Sequence, residues 1–95
     1  MDKMTELSKY SDFRKVNKKA KQMKLNLVYP STRRDKKYMI LNDNNKFIHF
    51  GQMGYSDFTK TNDLKKRDNF KRRNWKWADA EPYTPAFLSY WLLWT

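Results

Sequence analysis

The sequence predicts one α+β domain: a small, mainly antiparallel three-stranded sheet packed with an N-terminal helix, a basic helix and an aromatic C-terminal helix, associating as a dimer. Three observations carry this expectation. Apolar residues recur at helical spacing within two lysine-rich segments, two apolar runs flank an Asx-rich turn, and Ala86 to Trp94 is apolar almost throughout. Ninety-five residues leave room for a single core, so residues 1–95 are read as one domain.

Residues 1–10 are read as a short extra turn or a mobile end. The first helix follows, with Ser11 as the expected cap and Phe13, Val16, Ala20 and Met23 in one narrow stripe. Arg14, Lys15, Lys18, Lys19 and Lys21 occupy the rest of its circumference. Leu25 to Tyr29 alternates like a strand and stops at Pro30, which has no N–H for a ladder. Tyr38 to Leu41 and Phe47 to Phe50 flank Asn42-Asp43-Asn44-Asn45-Lys46, a hairpin signal. Both runs are apolar at successive positions, which predicts a sheet covered on its two faces by helices or by a second copy of the chain.

Gly51 and Gly54 are the only glycines, and their closeness marks backbone that needs positive φ or close approach. A turn here is expected to deliver Tyr55 and Phe58 into the core. The basic helix is placed at 62–77, capped by Thr61 or Asn62, with Leu64, Phe70, Trp75, Trp77 and Ala78 on an apolar arc. Lys65, Lys66, Arg72, Arg73 and Lys76 face away from that arc. Arg67 and Lys71 project within it, so each needs a partner, and Asp57 and Asp63 are the nearest candidates. In the tail, Thr84 is the expected cap and Pro85 the first helical residue. A helix this apolar must be enclosed. One short chain is not expected to enclose it, and a homodimer through Phe87, Leu88, Trp91 and Trp94 follows.

Composition removes several function classes. The chain has no cysteine, which excludes a disulfide scaffold and thiolate-held zinc or iron–sulfur groups. His49 is the only histidine, so no site can use two imidazoles. The longest apolar run is nine residues, against the ~20 of a spanning helix, and Met1-Asp2-Lys3-Met4 opens no signal-peptide core. Synthesis inside a cell and no membrane partner are expected. With 17% aromatic residues and two glycines, the composition is not that of a disordered chain.

The net charge of +11 is concentrated. Residues 14–37 hold ten Lys/Arg against one Asp, and residues 60–77 hold eight against two Asp. If folding brings the two segments onto one face, their fields add into a surface that steers polyanions. Ser31 to Lys37 combines hydroxyls with four cations, a composition suited to phosphate contacts.

Further likeness lies in Lys36-Lys37-Tyr38-Met39, the string from His49 through Phe50-Gly51-Gln52-Met53-Gly54-Tyr55-Ser56-Asp57-Phe58 to Thr59, then Asp63, Arg67, Arg72-Arg73-Asn74 and Leu93-Trp94. On these residues, from about Ser31 to Trp94, the chain resembles an uncharacterised family of small basic proteins of nucleocytoplasmic large DNA viruses, the giant viruses with Marseillevirus-like and algal-virus members. The resemblance implies a viral origin and a place in the virion, in the cytoplasmic viral factory or in the host nucleus. It transfers no catalytic residue.

The function expected is low-specificity binding of nucleic acid, foremost double-stranded DNA, with Arg33, Arg34, Lys36, Lys37, Lys65, Lys66, Arg72 and Arg73 on phosphates and Lys18 and Lys19 extending the surface. Single strands could stack on aromatic rings, but Trp75 and Trp77 are assigned to the core. The alternative is a virion assembly protein acting through its aromatic tail. A metal-dependent nuclease drawn from His49, Asp57, Asp63 and Arg67 ranks last, because no pair of carboxylates has a recurring ligand spacing. No catalytic residue, metal or cofactor is assigned, and the chain is not expected to be an enzyme.

Overall fold

Five short helices and one antiparallel sheet make up the computed structural model, which describes residues 2–95. Helix α1 spans Lys3–Leu7 and α2 Phe13–Gln22. Strands β1 (Val28–Pro30), β2 (Lys36–Leu41) and β3 (Phe47–Gln52) lie in the order β1-β2-β3. Helices α3 (Phe58–Thr61) and α4 (Leu64–Arg73) are followed by a 3-10 turn at Trp75–Asp79. Helix α5 (Pro85–Leu88) widens into a π turn at Ser89–Leu93. The α+β architecture expected from the sequence is present.

The stripe on α2 behaves as its spacing predicts: Val16 and Ala20 are buried, with Phe13 and Met23 packed at the margin. Its cap is Asp12, whose carboxylate accepts from the Lys15 amide, and not Ser11. Ser11 is buried, taking the Tyr38 hydroxyl at 2.7 Å and meeting Thr59 Oγ1 at 3.1 Å. Lys24, at φ 59°, turns the chain out of α2. The first strand is shorter and later than its alternation suggests. Asn17 explains part of this, because its amide both donates to the Val28 carbonyl and accepts from the Val28 N–H, filling the outer edge of β1. Leu7 is buried in the core, so α1 is part of the fold.

One sheet face carries Val28, Tyr38, Ile40 and Phe50, all buried. The opposite face is not covered as expected, since Tyr29 and Phe47 remain exposed and pack edge-on at 6.2 Å. Thr84 caps α5 through the Phe87 amide and Pro85 opens the helix, as the sequence predicts. The tail then runs between α2, β3 and the 3-10 turn. Leu88, Leu92 and Leu93 are buried by the chain itself. That overturns the premise that a second copy must enclose the tail, and Leu88 has no surface to offer a partner. Phe87, Trp91 and Trp94 are partly exposed.

Gly51 and Gly54 both take positive φ, 81° and 94°. They differ in surroundings. A Cβ at Gly51 would sit 3.0 Å from Leu93 Cδ1 and 3.1 Å from Lys37 Cβ, whereas Gly54 has nothing within 4 Å. Gly54→Ala therefore bears only the backbone cost, about 1–2 kcal/mol. Gly51→Ala adds overpacking of about 1–3 kcal/mol, and urea unfolding should separate the two variants in that order.

Candidate nucleic-acid interface

The end of the β2–β3 ladder, where Lys36 faces Gln52, opens into a cleft of about 630 Å³. The turn through Gly51 and Gly54 carries Tyr55 and Ser56 to its edge. Helix α4 contributes Phe70, the 3-10 turn Trp77, and the C-terminus Trp94. Phe70 and Trp94 stack at 4.6 Å with planes 8° apart, and Trp77 meets Phe70 edge-on at 5.8 Å. Tyr55 is 69% exposed and Trp77 37%, so neither is the core residue expected. The basic helix ends at Arg73, four residues before its predicted end, and Asp63 rather than Thr61 or Asn62 caps it. The early stop also leaves Trp75 62% exposed, and Leu64 stays at the surface.

Trp94 is a shared wall. Beyond it lies a second cavity, about 490 Å³, lined by Lys66, Asn69, Arg72 and Arg73. Arg72 Nη2 donates to Asn69 Oδ1 at 3.2 Å, which steadies the guanidinium without neutralising it. An aromatic cleft with a lysine on its rim thus adjoins a cationic pocket.

The two basic segments also meet around the Phe58 ring. Lys19 Nζ lies 5.7 Å and Arg67 Cζ 5.2 Å from its centroid, and Lys15 Nζ donates to Asn62 Oδ1 at 3.0 Å. Burial pushes the Lys19 ammonium below its ordinary value; Asp57 opposes the shift, and the like charges of Lys15, Lys71 and Arg67 add to it. The partners expected for the inward cations are different ones. Arg67 pairs with Asp68 at 3.1 Å, and Lys71 sits 5.3 Å from the Tyr90 ring and 5.8 Å from Trp91.

A family model described as a family of unknown function (DUF5754) matches residues 27–74, just over half of the sequence. The chain belongs to that family. No curated protein matches it, and no solved structure does. The family segment holds the whole sheet and α4, and with them Lys36, Tyr55, Phe70, Lys66, Arg72 and Arg73; Trp77 and Trp94 come from outside it.

Within that segment the predicted phosphate residues divide. Arg33 and Arg34 are exposed in the β1–β2 loop. Arg33 pairs with Asp35 at 3.5 Å, a surface contact worth little. The loop is pinned from α1, since Lys3 Nζ donates to the Arg33 and Lys36 carbonyls at 2.8 and 2.6 Å. Lys65 is exposed and lies outside both cavities; Lys18, which precedes the segment, is exposed on α2. Lys37 must be withdrawn from the interface. Its side chain is 3% exposed and its ammonium lies 3.0 Å from Asp57 Oδ2, itself 1% exposed. Asp57 also accepts from the Thr59 amide and hydroxyl, and Thr59 continues the chain to Ser11 and Tyr38. Burial holds the Tyr38 phenol well above its ordinary value.

The nuclease set does not assemble either. Asp57 is taken by Lys37, Asp63 caps α4, and Ser31 Oγ lies 2.6 Å from His49 Nδ1. Among the described residues no three His, Asp or Glu side chains gather as ligands. Desolvation lowers the His49 value, and Arg33, Lys3 and Lys36 lower it further against Asp35. These cations make the patch positive. Sequence reasoning weighed the aromatic rings and assigned Trp75 and Trp77 to the core, and so set aside the aromatic wall of the cleft. Its signal was legible in Phe70-Lys71-Arg72-Arg73-Asn74-Trp75-Lys76-Trp77, where rings alternate with cations as on nucleic-acid-binding surfaces.

Proposed function

We propose that the protein binds nucleic acid through its phosphates, with little sequence preference. One observation carries this reading: Lys36, from the first basic segment, lines a cleft to which α4, the core of the second, contributes Phe70, and Lys66, Arg72 and Arg73 line the cavity that shares Trp94 with it. The charge is also unspent. Of twenty-one Lys and Arg, ion pairs among the described residues engage only Arg33, Lys37 and Arg67. Cations held on a rigid scaffold displace counterions from phosphates, which gives affinity without reading bases. The resemblance to proteins of large DNA viruses supports a place in the virion or the viral factory, where a genome supplies the polyanion.

The test is fluorescence anisotropy with labelled DNA across a salt series. Log affinity should fall linearly with log salt, at nearly one unit of slope per phosphate contacted. No binding of any nucleic acid at ~50 mM salt, where counterion release is strongest, would remove the reading.

A further inference from the structure

We propose that the aromatic cleft receives an unstacked nucleobase, so that the protein selects single-stranded over duplex nucleic acid. This rests on the phosphate-binding reading and extends it. The preference for duplex DNA depended on Trp75 and Trp77 being core residues, and both rings are at the surface.

The cleft has the size of a small-molecule site and more room than one base needs. Trp77 and Trp94 are each held by ring contact with Phe70, and Tyr55 lines the same cleft as an exposed ring. Gln52, Ser56 and Thr84 line the same space and offer hydrogen bonds to a base edge. Charge decides the occupant. Lys36 lines the cleft, and Lys66, Arg72 and Arg73 line the cavity that shares Trp94 with it, so the backbone of a strand with a base in the cleft would run among cations. An apolar peptide would leave that charge unused. In a duplex the faces of the bases are covered by their neighbours, and a base must first be extruded at a cost. In a single strand the faces are available, and stacking one on protein rings is worth about tenfold or more in affinity.

The experiment uses the full chain and four labelled probes of equal length: oligothymidylate, oligouridylate, an abasic deoxyribose-phosphate strand and a DNA duplex. Oligothymidylate should bind at least about tenfold tighter than the abasic strand, with the same salt slope, and should quench tryptophan fluorescence. Oligouridylate should match it, since ring faces and phosphates are common to both. Tyr55→Ala, at an exposed ring that the fold does not need, and Trp77→Ala should each shrink the ratio of oligothymidylate to abasic affinity toward one. Equal binding of those two strands overturns the proposal and leaves phosphate binding standing. Duplex affinity at or above that of oligothymidylate overturns the selectivity, and a ratio that survives both variants overturns the assignment of the cleft. If no probe binds at ~50 mM salt, the underlying reading fails as well.

Discussion

Asp57→Ala should lower the unfolding free energy by about 3–5 kcal/mol, because it leaves the Lys37 ammonium buried with no counter-charge. A domain of this size has roughly 5–15 kcal/mol in all, so the variant stands near the edge of folding. The sign of the pH dependence identifies the cause. Burial already holds Lys37 below its ordinary value, and Asp57 is what opposes that shift. Without the carboxylate the folded-state value falls further, so between it and about 10.4 the unfolded chain binds more protons than the folded one. The deficit should therefore shrink as pH rises, in urea unfolding compared at pH 7 and pH 9. Lys37→Met alone should be similarly costly, while Lys37→Met/Asp57→Ala should recover most of the loss, since replacing both charges of a buried pair is often neutral. A remainder of about 1 kcal/mol is expected from the lost cap of α3, where Asp57 accepts from the Thr59 amide.

Arg72→Glu/Arg73→Glu should abolish about two units of salt slope and cost roughly a hundredfold in DNA affinity at ~0.1 M salt. Both residues are exposed on α4 and neither is in an ion pair among the described residues, so reversal should leave the fold intact. The needed control is a charge reversal away from the cleft. Lys46 lies in the β2–β3 turn, at the end of the hairpin opposite Lys36, about 20 Å along the strand. Lys46→Glu changes net charge but should scarcely alter the slope. Equal effects at the two sites would mean that binding follows net charge rather than a defined surface.

Much of the fold is local and could be read directly. The α2 stripe, the hairpin, the Thr84-Pro85 helix start and the positive φ of Gly51 and Gly54 each depend on spacing or stereochemistry within a few residues. So does the segregation of charge into two segments, from which the expectation of a polyanion partner came. Lys36, Lys66, Arg72 and Arg73 were therefore legible as cations facing outward.

Lys37 shows where such reading stops. It stands beside Lys36 in the same lysine-rich run, and nothing local separates a lysine on the surface from one in the core. Its fate was decided by Asp57, twenty residues later, and by the space that Gly51 leaves next to Leu93. The aromatic residues obey the same rule in reverse. Hydrophobicity says that a ring gains by leaving water, but not which rings the core has room for. Leu88, Leu92 and Leu93 filled that space, and Trp75, Trp77 and Tyr55 were left outside. The sequence by itself thus determined the α2 stripe, the hairpin, the Thr84-Pro85 helix start and the sign of the surface, because each arises within a few residues of chain. The caps at Asp12 and Asp63 and the early end of α4 were not among them. Only the tertiary structure decided which lysine lost its water and which rings kept theirs, because burial is a competition among residues far apart in the chain for one small volume.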